Sequence, residues 1–402
     1  MVCDNRYDCE DGYDESASAG CCDPAYYFQC RDGTCIARSM VCNRYRDCPD
    51  GSDEYSCYSG ECDSKGSISL QPDPITGLCQ CKDYVTGPKC SQCQSGAFYL
   101  HENNQYGCIN CFCMGITDVC TSSNWYRTEE VFSFTTNNQG MQLVDQYQRN
   151  VFNNNLFTDS LRQELIYRSF SDLPPEVYYW KLPRRFQGDK VSSYGGNLTF
   201  TLRYMPAPGG QSSRNNAYDV EIYGNDVTLR YYSKQQLNPS TLETVSVPFY
   251  EQYWQRQDGQ TANREHFLMA LADLEYILIK ATYTTNTQEV GLKEIRLATA
   301  APRNNGQERA FAVEMCDCPT GYRGLSCEDC DVGYTRELSG LHLGTCERCN
   351  CGGYSDECDP ESGVCFVSLL FNSMFKFWTG FVSTEFIVVS SIFCKIFIFH
   401  NV

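Results

Sequence analysis

Positive charge and histidine are scarce in this sequence. Thirty-two lysines and arginines stand against 50 aspartates and glutamates, giving a net charge of −18, and there are 4 histidines. Phosphate recognition needs a basic footprint, so nucleic acid is not expected as a partner. Cysteine is missing from residues 121–315, although the chain holds 28. That stretch also lacks a G-x-S-x-G nucleophile elbow, an H-E-x-x-H zinc motif and a phosphate-binding glycine loop. Its one histidine, His266, sits beside Glu265 at the start of an expected helix over 264–273, where it reads as a capping or surface residue. No catalytic residue is expected, and the chain does not read as an enzyme. A secretion leader is lacking too. Met1-Val2-Cys3 runs straight into a cysteine-rich stretch without a basic or apolar lead-in, so the sequence reads as a fragment.

The cysteines that are present cluster. Eighteen lie in residues 1–120 and ten in 316–402. Such density belongs to an oxidising, extracellular compartment. The cysteine-free stretch is long enough to bury its own core, whereas the flanking segments are too short and must be stapled. The expected fold is therefore mainly β and multi-domain, with small disulfide-stapled modules flanking one larger domain. Short spacings such as Cys79-x-Cys81 and Cys90-x-x-Cys93 also suit zinc ribbons. The excess of cysteines over a tetrahedral set and the lack of nearby histidines favour disulfides.

Residues 22–57 contain Cys22, Cys30, Cys35, Cys42, Cys48 and Cys57, and their second half crowds carboxylates: Cys42-Asn-Arg-Tyr-Arg-Asp47-Cys48-Pro-Asp50-Gly-Ser-Asp53-Glu54. Carboxylates packed into a short stapled loop repel one another unless a hard cation sits among them, and calcium takes six to eight oxygen ligands. This stretch resembles an LDL-receptor class A module. The resemblance implies disulfides Cys22–Cys35, Cys30–Cys48 and Cys42–Cys57. It implies calcium as cofactor, held by Asn43, Asp47, Asp53 and Glu54 through side chains and by Met40 and Tyr45 through carbonyls. Asn43 stands where the family carries Asp, which weakens the site. Met40 stands where the family usually carries the Trp that walls a lysine-binding pocket. Residues 1–21 repeat half of the pattern, with Asp4, Asp8, Asp14 and Glu15 as weaker calcium ligands, and without the first three cysteines.

From Cys62 onward the spacing resembles a laminin-type EGF-like module over 58–110. Gly60 and Pro72 stand at two cysteine positions that pair with each other in the family. The resemblance implies Cys62–Cys79, Cys81–Cys90 and Cys93–Cys108. A second such module is split. Cys111-Phe-Cys113 through Cys120 supplies its start, and Cys316-Asp-Cys318 through Cys346 supplies its remainder. The implied bonds are Cys111–Cys120, Cys113–Cys316, Cys318–Cys327 and Cys330–Cys346. A third module begins at Cys349 and breaks off after Cys365, leaving one secure pair, either Cys349–Cys358 or Cys351–Cys365.

Residues 121–315 read mostly as strands. Leu198, Phe200, Leu202 and Tyr204 alternate to one face of 197–204, and further strands are expected at 219–223, 227–232, 244–249, 274–284 and 291–298. Many strands without long helices suggest an antiparallel β-sandwich of jelly-roll type. Tyr179-Trp180-Lys-Leu-Pro183-Arg-Arg-Phe186 with Tyr194-Gly195-Gly196, and Gly259-Gln-Thr-Ala-Asn-Arg264-Glu265-His266, resemble a laminin IV type A domain. Asn197-Leu-Thr199 is an N-glycosylation sequon.

Residues 366–402 differ in kind. The segment 377–399 is long enough to span a bilayer, but Glu385 and Lys395 lie within it, and the tail interrupts a module. It is read as non-native, and membrane anchoring is not expected. The order of modules resembles the central part of basement-membrane heparan sulfate proteoglycan core proteins. That resemblance implies secretion into the extracellular matrix, a role as structural spacer and adhesion platform, and extracellular-matrix proteins and cell-surface receptors as partners. The alternatives are an endocytic receptor ectodomain that captures basic ligands and a laminin α-chain-like matrix protein.

Overall fold

The computed structural model describes residues 27–366, apart from 42, 44, 55–61, 74–77, 136, 210–213, 340–341 and 354. Its centre is a sandwich of two six-stranded antiparallel sheets. The strands are β1 (Tyr126–Ser133), β2 (Gln142–Asp145), β3 (Leu156–Asp159), β4 (Glu164–Tyr167), β5 (Tyr178–Lys181), β6 (Asn197–Pro206), β7 (Val220–Gly224), β8 (Val227–Tyr231), β9 (Glu243–Pro248), β10 (Trp254–Arg256), β11 (Leu274–Lys280) and β12 (Thr287–Ala301). One sheet runs β3-β4-β12-β6-β9, with β1 also paired to β12. The other runs β10-β8-β7-β11-β5-β2. β12 is the organiser of the first sheet. Along one edge it pairs with β6, and along the other it pairs first with β4 and then with β1.

Alternation decides what faces inward. Leu198, Phe200, Leu202 and Tyr204 of β6 are all buried, and so are Ile277 and Ile279 of β11. Trp180, Trp254, Phe249 and Phe267 fill the interior, and Trp254, Phe249 and Phe267 pack at ring-centroid distances of 5.7 Å. The single α-helix among the described residues, α1 (Arg264–Ala272), packs against β7 and β8. Asn263 caps it by accepting the His266 N–H at 2.8 Å. Phe267, Leu268 and Leu271 on α1 are buried.

Several strands differ from the expected ones. β12 runs from Thr287 to Ala301, longer at both ends than 291–298, while β11 stops at Lys280. β1 to β5 carry no extended alternation of their own. β4, for example, is Glu-Leu-Ile-Tyr, buried at every position, so its period is invisible.

The small modules are stapled hairpins. Disulfides join Cys30–Cys48, Cys62–Cys79, Cys81–Cys90, Cys93–Cys108, Cys111–Cys120, Cys318–Cys327 and Cys330–Cys346. At the end of the described chain both Cys349–Cys358 and Cys351–Cys365 form, where the sequence left one pair open. Among the described residues Cys113–Cys316 closes the longest loop, with a Cα–Cα distance of 5.8 Å and a sequence separation of 203. Beside it Cys120–Ser122 pairs antiparallel with Glu314–Cys316. The sandwich thus leaves and re-enters one small module at a single point.

The first EGF-like segment and the split module are not beads separate from the sandwich. Phe98 and Ile109 of the first EGF-like segment, Cys113 and Met114 of the split module, and Leu325 and Cys327 beyond the sandwich all belong to one hydrophobic cluster with the sandwich core.

Candidate functional site

Two places carry the features that function would use: the acidic loop at 40–54 and the junction where the sandwich meets the split module.

In the acidic loop, oxygen donors are linked by short local bonds. The Asn43 side-chain amide donates to Asp47 Oδ2 at 2.7 Å, and the Tyr45 N–H donates to Asn43 Oδ1 at 2.8 Å. The Asp47 N–H donates to the Tyr45 carbonyl at 3.1 Å and to Asp53 Oδ2 at 2.8 Å. Asp53 is 1% exposed. Met40 and Tyr45 are exposed, and Glu54 is half-buried. The donor set holds oxygen alone, from carboxylates, an amide and carbonyls, and this suits a hard cation. A buried carboxylate such as Asp53 also gains most from one. Asn43, Tyr45, Asp47 and Asp53 are already brought together. Met40 and Glu54 flank them. Cys22, Cys42 and Cys57 lie outside the described residues, as do Asp4, Asp8, Asp14 and Glu15, so Cys42–Cys57 lies there entirely and Cys22–Cys35 in part.

Soft-metal chemistry fares differently. Among the described residues, Cys30, Cys48 and Asp50 come together, as do Cys113, Cys120 and Glu314. In both groups every thiol is consumed by a disulfide, so neither offers a thiolate to zinc.

The junction is organised by Glu314, which the sequence did not single out. Its Oε2 accepts the Phe112 N–H at 2.9 Å and the Arg264 Nη2 at 3.0 Å, and its Oε1 accepts the Cys113 N–H at 3.0 Å. The Ser326 hydroxyl donates to Oε1 as well. One carboxylate, 1% exposed, therefore ties both halves of the split module to the helix of the sandwich. Arg264 stacks over the Tyr194 ring at 4.2 Å and lies 5.6 Å from the Phe98 ring. Burial disfavours the Arg264 charge, but Tyr194, Glu314 and Glu251 outweigh it and raise its pKa above the ordinary arginine value. A signal was available in the sequence: a cation in the first turn of a helix opposes the macrodipole and calls for an anionic partner.

Two further contacts complete the junction. His342 packs edge-on against Phe112 at 5.0 Å, and its Nδ1 lies 3.2 Å from Glu265 Oε1 on α1. Gly115, at φ +73°, lets the ring come this close. A Cβ there would lie 2.5 Å from His342 Cδ2. Tyr99 stacks on Phe311 at 5.8 Å, joining the first EGF-like segment to the chain just before Glu314. Nearby, Glu328 accepts the N–H groups of Leu325 and Ser326 at 3.2 and 2.7 Å, and burial, reinforced by Asp189, pushes its pKa up to about 7.

His266 is half-buried at the start of α1, and Asn263 caps the helix. Burial lowers the His266 pKa, with Arg256 adding to the effect. Asn197 is exposed at the first position of β6, where a glycan would meet solvent. No helix among the described residues is long and apolar enough to cross a membrane. The segment 366–402 lies outside the described residues except for Phe366.

Comparison with known proteins gives three family matches. The low-density lipoprotein receptor domain class A matches residues 20–57. The laminin EGF domain matches 47–108 and 310–346. Laminin B (Domain IV) matches 179–314. The mouse basement membrane-specific heparan sulfate proteoglycan core protein is 42% identical over 304 residues, 76% of this chain and 8% of that protein. The Caenorhabditis elegans basement membrane proteoglycan is 39% identical over 293 residues, 73% of this chain and 8% of that protein. Human laminin subunit alpha-3 is 32% identical over 362 residues, 77% of this chain and 10% of that protein. The chain thus spans less than a tenth of the length of the two proteoglycans.

Proposed function

From the premise that this chain is a relative of the secreted, perlecan-like basement-membrane proteoglycan core proteins, with a class A domain, laminin EGF domains and an inserted laminin B domain, we propose that it serves as a structural spacer and adhesion platform in the extracellular matrix. The observation that carries this reading is the shared hydrophobic cluster. Phe98, Cys113 and Leu325 bury their side chains in the same cluster as the sandwich. Segments that share a core hold a fixed relative orientation. The role is non-enzymatic, and its partners are matrix proteins and cell-surface receptors. The laminin α-like alternative is the weaker one, since identity falls from 42% to 32%.

Class A domains generally bind calcium. In this chain the ligands are Asn43, Asp47, Asp53 and Glu54 through side chains and Met40 and Tyr45 through carbonyls. In residues 1–21, Asp4, Asp8, Asp14 and Glu15 form a weaker counterpart. Calcium would neutralise the loop and order it. Cys22–Cys35 and Cys42–Cys57 complete the staples of this module, and Asn197 carries an N-linked glycan.

The test of the spacer reading is solution scattering and matrix binding of the full chain. One particle of fixed shape that is retained on immobilised basement-membrane extract at physiological salt is expected. The receptor reading instead requires lysine-competed capture of basic ligands. The exposed Met40, in place of the family's Trp, disfavours it. Capture of a basic ligand that free lysine abolishes would replace the spacer reading with the receptor one.

A further inference from the structure

At the end of the sandwich beside Tyr178, two adjoining grooves of about 420 and 360 Å³ share Pro174, Glu176 and Tyr178. Their size falls within the range of about 300–1,000 Å³ typical of small-ligand sites. The two walls of the larger groove differ in chemistry.

One wall is apolar and built from rings. Phe170 packs on Tyr178 at 5.8 Å, and Phe152 continues the row at 5.4 Å from Tyr178. The Tyr178 hydroxyl donates to the Pro174 carbonyl at 2.8 Å, which fixes the Pro174-Pro175 edge. The opposite wall is the connection between β11 and β12, and it carries hydroxyls and amides. Thr284 and Thr287 lock it from within, the Thr287 hydroxyl donating to the Thr284 carbonyl at 3.1 Å. The Ala207 N–H holds the Asn286 carbonyl at 2.8 Å. This leaves Thr285, Asn286 and Gln288 exposed, and their side chains make no hydrogen bond to the described residues.

The charges around the groove are largely answered inside the protein. Arg168 pairs with Glu289. Asp145 accepts the N–H groups of Tyr147, Arg149 and Asn150 at 2.9, 3.1 and 2.8 Å. Glu176 remains exposed and would repel an anion.

We propose that this groove binds a neutral oligosaccharide. A pyranose ring has an apolar C–H face and an edge of hydroxyls. The Phe170–Pro174 wall matches the face, and Thr285, Asn286 and Gln288 match the edge with both donors and acceptors. Sulfated or carboxylated glycans are refused, because no unpaired cation faces them except the exposed Arg149 at the rim, opposite Glu176. The proposal stands independently of the matrix reading.

The test uses the full chain and saturation-transfer NMR with two probes, the neutral tetrasaccharide lacto-N-neotetraose and a heparin octasaccharide. Transfer to the neutral probe alone is expected. Asn286→Ala with Gln288→Ala removes only exposed side chains and is expected to weaken binding at least tenfold while leaving the thermal midpoint unchanged. Phe170→Ala is expected to weaken it further. Absence of transfer to the neutral probe, equal transfer to heparin, or unaltered affinity in the double variant would each overturn the proposal.

Discussion

Arg264 Nη2 and Glu314 Oε2 meet at 3.0 Å inside the protein, with side chains 10% and 0% exposed. Arg264 begins the helix of the sandwich, and Glu314 ends the inserted domain two residues before Cys316. The pair thus fixes the orientation of the domain on its host module. Removing one partner of a buried ion pair strands the other, which typically destabilises by about 3–5 kcal/mol. Glu314→Gln keeps the shape and removes the charge. A fall of about that size in denaturant stability is expected. Adding Arg264→Met to it should recover part of the loss, because the stranded cation is gone.

Glu328 gives the junction a pH dependence of unusual sign. Its folded pKa of about 7 lies above the ordinary glutamate value of 4.5. Between those values the folded chain holds a proton that the unfolded chain has released, so stability falls as pH rises through this window. The contribution is complete below about 4.5 and lost above about 7. Groups with depressed values, such as Glu289 held down by Arg168 and Arg203 against its burial, act in the opposite direction. The measurable quantity is therefore the difference between wild type and Glu328→Gln in unfolding midpoints at pH 5 and pH 8. The variant is expected to gain on wild type at pH 8, and equal differences at both values would contradict the assignment.

Calcium affinity of the acidic loop should rise when charge is restored. Asn43 now donates to Asp47 through its amide. Asn43→Asp replaces that donor by a carboxylate, and a gain of roughly tenfold in calcium affinity is expected, equivalent to about 1.4 kcal/mol. Calorimetric titration of the full chain measures it. Asp53→Asn is expected to move affinity the other way, and hydrogen exchange over 27–54 should quicken in chelator for wild type.

Gly224 lies against the last turn of α1. A Cβ at this position would come within 2.3 Å of the Ala270 and Asp273 carbonyl oxygens, and backbone cannot step aside as a side chain can. Gly224→Ala should therefore destabilise by about 1–3 kcal/mol through overpacking. Because α1 carries Arg264, the same change should raise hydrogen exchange at Phe112 and Cys113.

Phe98 inserts its ring beneath Arg264 and into the common core, with 5% exposure. Phe98→Ala is expected to loosen the first EGF-like segment while its own disulfides hold it folded. NMR relaxation should then show residues 62–108 tumbling faster than the sandwich.

The legible parts of this protein were those with strong local patterns. The 197–204 alternation announced β6, and a short helix was expected over 264–273, where α1 lies. β3 and β4 were hidden because they are short, and β4 is buried throughout. Cysteine spacing located the modules, yet Glu314 and Ser326 escaped notice. Their meaning arises only when residues about 200 positions apart, such as Cys113 and Glu314, are folded together. The same holds for His342, whose partners Gly115 and Glu265 come from two other segments.

The side-by-side pairing of Cys120–Ser122 with Glu314–Cys316, closed by Cys113–Cys316, has a mechanical consequence. A pull along the chain enters and leaves the sandwich at neighbouring strands that are already cross-linked. Tension therefore passes through the covalent bridge and bypasses the roughly 200 residues between. The inserted domain hangs off the load path like a pendant. A chain built this way can be stretched repeatedly while the surfaces its sandwich presents keep their shape.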